Sequence, residues 1–199
     1  MFIQVINGKT NDPKGLRTRL DSWETEVGPG AGYLGVTGGI AEDGTVIMLA
    51  RFADEAAATA NSNRAEQSTW WNETEKYFDG DVAFRNCTEV ELTLDGGSDS
   101  AGFVQVMQGR VANKARLREL EAEFMPQLET MRKDVIGSVR AWDGDDFTEA
   151  IYFTTEADAR AGEAKMAADE GPGPNMEEFQ ALMQDLVYID LKDPLLRSA

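Results

Sequence analysis

Hydrophobic positions along the first half of the chain follow two alternating periods. Short apolar runs, typical of β-strands, occupy 2–8, 33–37, 46–52 and 82–94. Between them, apolar side chains recur at helical spacing, first over 13–27 and then over about 54–78. The pattern therefore predicts the order strand, helix, strand, strand, helix, strand.

The ends of these elements carry their own signals. Asp12 is the predicted N-cap of the first helix, and Pro13 its first residue, where the missing N–H of proline costs nothing. Gly28 and Gly30 flank a proline and predict the end of that helix. The polar stretch 42–44 predicts a turn between the two central strands.

The second half of the chain repeats the first. Residues 2–8 (Phe-Ile-Gln-Val-Ile-Asn-Gly) recur at 103–109 (Phe-Val-Gln-Val-Met-Gln-Gly), an offset of 103 − 2 = 101 with four of seven residues identical. The same offset aligns Phe52 with Phe153, Glu55 with Glu156, Ala56 with Ala157, Ala58 with Ala159 and Ala60 with Ala161. The sequence thus predicts a tandem duplication, with repeat 1 at 1–94, a Gly/Ser/Asp-rich linker at 95–101 and repeat 2 at 102–199.

Repeat 2 shows its elements in the same order. The predicted strands are 103–110, 135–142, 147–154 and 185–192. One helix is predicted over 114–132 and another over about 155–184, interrupted by Gly-Pro-Gly-Pro at 171–174. Each repeat therefore has the βαββαβ order of a ferredoxin-like unit.

This order defines the expected fold class, which is α+β. In a ferredoxin-like unit the helices cover one face of the sheet and leave the other face bare. Two such units in one chain can bury both bare faces by packing sheet to sheet. We therefore expect two tandem ferredoxin-like repeats that form an intrachain α+β barrel, in a chain that is a monomer or a weak dimer.

Three short features of the sequence coincide with the starts and ends of predicted strands. They are the Phe-x-Gln-Val start of each repeat, the Leu-Gly at 34–35 and Ile-Gly at 136–137, and the strand 46–52 running into Asp54 and Glu55. With these features the chain resembles the dimeric α+β barrel superfamily, which includes the antibiotic biosynthesis monooxygenases. The resemblance implies that fold. It leaves function open, because the superfamily contains oxygenases, haem-handling proteins, isomerases and members without known activity.

The charge of the chain is strongly negative. Its 199 residues include 36 acidic and 19 basic side chains, a net charge of −17. Such a field repels nucleic-acid phosphates and anionic lipid surfaces, so we expect neither as a partner. Cys87 is the single cysteine, which allows no disulfide framework, and no apolar run reaches the length of a membrane span. We expect a cytoplasmic protein without a membrane segment or signal peptide.

Histidine is absent from the sequence, and this removes several kinds of chemistry. Ser-His-Asp and Cys-His nucleophile systems, His-ligated zinc and His-ligated haem all need an imidazole. A single cysteine also excludes thiolate clusters. The sequence therefore predicts no metal and no cofactor, so that any catalysis would depend on carboxylates, lysine, tyrosine or the substrate itself.

The second helix of repeat 1 carries a run of aromatic and amide side chains. Gln67 and Trp71 share one helical face, and Tyr77 follows six residues after Trp71. Cofactor-independent oxygenases of the superfamily place an Asn and, four residues later, a Trp in their cavity, with Tyr and Arg nearby. Gln67 takes the place of that Asn here, and the resemblance implies that Arg51 or Arg85 would hold an enolate. The candidate pocket residues are Asn7, Arg51, Gln67, Trp71, Tyr77 and Arg85.

Three functions remain open on this sequence. The first is a cofactor-independent small-molecule monooxygenase or isomerase acting on a planar aromatic or enolisable substrate. The second is a non-catalytic module that binds a small hydrophobic or aromatic ligand. The third is a structural barrel in which the tryptophans are core packing. Because repeat 2 has no equivalent of the aromatic run, a pocket is expected in repeat 1.

Overall fold

The computed structural model describes residues 1–168 and 175–199, and in this part of the chain it contains ten strands and seven α-helices. Repeat 1 forms β1 (Phe2–Lys9), α1 (Pro13–Asp21), α2 (Trp23–Glu26), β2 (Tyr33–Ile40), β3 (Thr45–Phe52), α3 (Glu55–Ser62), α4 (Ala65–Thr74), a 3-10 turn (Glu75–Tyr77), β4 (Ala83–Cys87) and β5 (Glu89–Thr93). Repeat 2 forms β6 (Phe103–Val111), α5 (Lys114–Met131), β7 (Val135–Asp143), β8 (Asp146–Phe153), α6 (Glu156–Ala168), α7 (Met176–Leu182), β9 (Met183–Leu191) and β10 (Leu195–Ser198). The predicted helix break at 171–174 lies outside the described residues.

The strands form two five-stranded sheets. One sheet has the order β10-β2-β3-β1-β4 and the other β5-β7-β8-β6-β9. They belong to two compact units, the first made of residues 1–90 with 193–199 and the second of residues 91–192. Helices and antiparallel strands occur in the predicted order in each repeat, so the ferredoxin-like α+β class is confirmed.

Each sheet also contains one strand from the other repeat. The stretch 82–94, predicted as one strand, is two strands: β4 pairs with β1, whereas β5 belongs to the second sheet beside β7. The sequence pattern did not indicate β10, which pairs with β2 in the first sheet. The repeats seen in the sequence and the compact units of the structure therefore differ by an exchange of their closing strands.

The predicted helix over 54–78 is interrupted at Asn63 and Arg64. Arg64 has an extended backbone, with ψ at 136°, and α4 begins after it. Its guanidinium donates hydrogen bonds to the carbonyl oxygens of Val27 and Gly28, at 2.7 and 2.8 Å. These carbonyls follow the last residue of α2, where no helical N–H group is available to bind them. Arg64 therefore caps the C-terminal end of α2 from its position between α3 and α4.

The helices of the first unit pack on one face of its sheet. Leu16 and Leu20 from α1 and Trp70 from α4 form a buried cluster with Val46 and Met48 of β3. Because side chains alternate along a strand, the neighbours of Met48 point to the opposite face, where they are buried as well. The first sheet thus has two distinct buried faces, and the helix-covered face holds the cavity described next.

Candidate functional site

A cavity of about 410 Å³ lies in the first unit, between its sheet and the helices α1, α2 and α4. Ile6, Val36 and Met48 line it from the sheet, and Leu195 lines it from the exchanged strand β10. Trp70 lines it from α4. Its size and largely apolar lining are those of a small-molecule site.

Aromatic rings form two clusters along this cavity. Trp23 packs on Tyr33 with ring centroids 4.9 Å apart. The ring centroid of Trp71 lies 5.2 Å from that of Phe84, in an edge-to-face arrangement, and 5.9 Å from that of Phe78. Flat aromatic ligands pack well on such rings, because offset and edge-on contacts between π-systems are favourable.

A neighbouring indole holds the amide of Gln67. Trp23 Nε1 donates a hydrogen bond of 2.8 Å to Gln67 Oε1. An indole nitrogen can only donate, so the amide oxygen of Gln67 must face Trp23. In the described part of the chain no protein acceptor contacts Gln67 Nε2. The amide nitrogen of this cavity-lining residue is therefore available to a ligand.

Arg197 brings a guanidinium to the cavity from β10, but its charge is already compensated. Its nitrogens lie 3.1 Å from Asp21 Oδ1 and 3.2 Å from Glu24 Oε1, and it donates to the carbonyl oxygen of Leu20 at 3.3 Å. The Arg197 side chain is 15% exposed, whereas those of Asp21 and Glu24 are about half exposed, so water partly screens these contacts. Arg197 thus gives the cavity a hydrogen-bonding group without a net positive charge.

None of the described residues that line the cavity is an evident general base. Among the described residues that form it, Arg197 carries the only formal charge, and Tyr33 is the only other ionisable side chain. The remaining polar members are amides, serines and indoles. A reaction here that removes a proton would depend on a substrate that is itself acidic.

Two of the six residues that the sequence suggested as pocket residues line the cavity, namely Gln67 and Trp71. Asn7 follows the cavity-lining Ile6 on β1 and so lies on the opposite face of the sheet. Arg51 lies between two lining residues of β3 and also faces away, where its Nη2 donates to the carbonyl oxygen of Arg197 at 3.0 Å.

Arg85 and Tyr77 lie elsewhere. Arg85 pairs in register with Val5 and shares the sheet face of Asn7, away from the cavity. Tyr77 lines a separate surface groove of about 540 Å³ together with Lys14 and Arg19. The six candidates thus divide among the cavity, the opposite sheet face and this groove.

The sequence did not single out Trp23, Tyr33, Phe84 or Arg197 as cavity residues. The two tryptophan-containing helices α2 and α4 are far apart in the chain, and no spacing rule connects them. Arg197 reaches the cavity because β10 joins the first sheet. Neither Trp23 nor Arg197 lies in an aromatic-rich stretch of the sequence, so no local signal marked them.

No protein family model matches the chain, and no curated protein matches it in sequence. Solved structures do resemble it. A candidate monooxygenase from Fusobacterium nucleatum gives a TM-score of 0.74 at 10% identity, over 100% of this chain and 95% of that one. A candidate monooxygenase from Lactobacillus acidophilus gives 0.67 at 10% identity over 99% of both chains. An anthrone oxidase-like protein gives 0.64 at 9% identity, over 98% of this chain and 93% of that one. The chain has the fold of these proteins.

Within this fold, the second unit carries charged groups where the first has its cavity. The offset of 101 relates the lining residues Leu20 and Met48 to Glu121 and Glu149. Arg140 binds both carboxylates, at 2.6 Å from Glu121 and 2.8 Å from Glu149. Burial lowers the pKa of Arg140, but the charges of Glu149 and Glu121 outweigh burial, so the pKa is raised above its ordinary value. The two units thus differ in the chemistry of equivalent regions.

No group of three or more acidic or cysteine side chains in residues 1–168 and 175–199 is placed to hold a metal ion. In the same part of the chain, every helix is too short or too polar to reach across a lipid bilayer.

Proposed function

We propose that the chain binds a planar aromatic small molecule in the cavity of its first unit and acts on it as a cofactor-independent monooxygenase or isomerase. The observation that carries this proposal is the cavity of about 410 Å³ in which Gln67 and Trp71 lie one helical turn apart. Trp71 offers a ring face and edge for an aromatic substrate, and Gln67 offers a hydrogen-bond donor to a carbonyl or enolate oxygen.

The lining residues restrict the chemistry that this site can perform. With no carboxylate or lysine among the described lining residues, the substrate must carry an acidic C–H, as a methylene beside a carbonyl in an aromatic system does. Loss of that proton to water gives an enolate, whose oxygen the Gln67 amide stabilises. In an oxygenation the enolate donates electrons to O₂. One oxygen atom becomes a new carbonyl oxygen on the former CH₂ carbon, and the other leaves as water.

The proposed oxygenation consumes one O₂ for each substrate molecule, so oxygen uptake tests it. One similar structure belongs to an anthrone oxidase-like protein, which supports the tricyclic dithranol as the first probe. Oxygen uptake and the mass of the product are measured with the parent protein, with Gln67→Leu, and with Leu34→Ala as a control at an exposed position outside the cavity. We expect O₂ uptake above the uncatalysed rate in the parent and the control, and a loss of this excess in Gln67→Leu. An isomerase would change the product without O₂ uptake.

A second candidate is a non-catalytic module that binds the same class of ligand. The observation in its favour is the lack of a general base among the described lining residues. In this case dithranol would change the fluorescence of the protein, because three tryptophans line the cavity, but neither O₂ uptake nor product formation would exceed the uncatalysed rate. The same experiment therefore separates the two candidates.

A further inference from the structure

The hydrogen bond between Trp23 and Gln67 joins two helices across the cavity. Trp23 is the first residue of α2, and Gln67 lies in the first turn of α4. The indole is also held from a second side, since Tyr33 packs on it at 4.9 Å. The donor that faces Gln67 is therefore itself fixed in place.

We infer that Trp23 is a positioning residue that determines the ligand preference of the cavity. By binding Gln67 Oε1, it presents the Gln67 NH₂ group to the ligand, so that the cavity selects a neutral aromatic molecule with a hydrogen-bond acceptor over one with a donor. This inference rests on the proposed function only in its choice of cavity, and it concerns binding rather than turnover.

The side-chain amide of Gln67 has two possible orientations. A half-turn about the last bond of Gln67 exchanges its oxygen and nitrogen, so a free amide could offer either a donor or an acceptor to a ligand. Trp23 removes this freedom, because the half-turn would set the NH₂ group against the indole N–H and lose the 2.8 Å hydrogen bond. With Trp23 in place, Gln67 can only donate its free hydrogens.

The charge of the cavity lining also restricts the ligand. Arg197 is the only charged group among the described lining residues, and Asp21 and Glu24 already lie within 3.2 Å of it. Because Asp21 and Glu24 already neutralise the guanidinium, it offers little net attraction to an anionic ligand. A neutral carbonyl can accept the Gln67 hydrogen bond without needing a compensating charge, so the expected ligand is a ketone or quinone rather than a carboxylate.

Three probes with one tricyclic skeleton test this preference. At the same position, fluorenone has a carbonyl acceptor, carbazole has an N–H donor, and fluorene has neither group. Their dissociation constants are measured by equilibrium dialysis with the whole chain. We expect fluorenone to bind about three- to tenfold more tightly than carbazole, the ratio that one neutral hydrogen bond supplies.

Matched variants then assign the preference to Trp23. Trp23→Phe keeps a ring and removes the donor, so we expect the ratio of fluorenone to carbazole affinity to fall close to one. Trp70→Phe is the control, because Trp70 lines the same cavity but its Nε1 donates to Ser22 Oγ at 3.3 Å instead of Gln67. In that variant the ratio should stay at the parent value. Gln67→Glu offers only acceptor oxygens, and it should reverse the preference toward carbazole.

Several results would overturn the inference. They are equal affinity of the parent for fluorenone and carbazole, an unchanged ratio in Trp23→Phe, an equal loss of affinity for all three probes in that variant, and no binding of any probe. If Trp23→Phe does not fold, Gln67→Glu decides, and an unchanged ratio there also overturns it. Oxygen uptake with dithranol is a separate readout. If dithranol causes no O₂ uptake but the ratio of fluorenone to carbazole affinity depends on Trp23, the oxygenase is refuted and the inference stands. If dithranol causes O₂ uptake but the ratio does not depend on Trp23, the inference alone is refuted.

Discussion

The guanidinium of Arg51 donates a 3.0 Å hydrogen bond to the backbone carbonyl of Arg197, a residue 146 positions later in the chain. Gly35 makes this contact possible. Its φ is +128°, and a Cβ there would lie 2.1 Å from the Arg197 oxygen and 2.5 Å from Arg51 Nη2. A buried side chain of β3 thus fastens the exchanged strand β10 to the first sheet across a glycine of β2.

Leu195 tests how far the first unit depends on that strand. Its side chain is 4% exposed and belongs to the cluster under α1 and α4, so Leu195→Ala should lower the free energy of unfolding by about 2–5 kcal/mol. Leu34→Ala, on the neighbouring strand β2 but 38% exposed, should change it by about 0.5 kcal/mol or less. Urea unfolding measures both. Equal effects would mean that β10 adds little to the core of the first unit.

Arg51→Met separates the two faces of the first sheet. Because Arg51 faces away from the cavity and binds the backbone of β10, its loss should speed hydrogen exchange of the β10 amides. The dissociation constant for fluorenone should stay within about twofold of the parent value, since no cavity contact is removed. A much weaker affinity for fluorenone would instead assign Arg51 the ligand-binding role that the sequence suggested.

Strand periodicity predicted the elements of both repeats but not the exchange of strands between them. Phe2 and Phe103 begin equivalent strands, and both are buried beside an equivalent phenylalanine, Phe52 or Phe153. Alternation along a strand shows which side chains are buried, and this local signal survives duplication. The pairing of Leu195 with Gly38 depends on residues far apart in the chain, for which local periodicity contains no information.

The candidate site was predicted in part for a similar reason. Gln67 and Trp71 share a face because the helical rotation holds throughout α4. That rotation does not extend to Tyr77, since α4 ends at Thr74 and a tighter 3-10 turn follows. The positions of Trp23 and Arg197 depend on tertiary packing, which the spacing of residues along one helix does not encode.

Trp71→Phe tests whether the aromatic cluster serves a ligand. Trp71 is half-buried at the cavity, so a phenyl ring keeps most of its packing and the free energy of unfolding should fall by no more than about 1–2 kcal/mol. The affinity for fluorenone should decrease, because the larger ring face is lost. Trp142→Phe in the second unit, where the side chain is 2% exposed, should instead reduce stability and leave affinity unchanged. A large loss of stability with unaltered affinity in Trp71→Phe would assign Trp71 to the core.

Arg140 tests why the second unit holds charges where the first has its cavity. Arg140→Met leaves Glu149, whose side chain is 7% exposed, without its cation, and should lower the free energy of unfolding at pH 7 by about 3–5 kcal/mol. Urea unfolding at pH 7 measures this. The triple variant Arg140→Met, Glu121→Leu, Glu149→Met, which introduces the residues that repeat 1 has at positions 20 and 48, should recover most of the loss because no charge is then left unpaired. A triple variant as unstable as the single one would place the cost in the lost packing of Arg140 on the Trp142 ring, 5.6 Å away, rather than in the unpaired carboxylates.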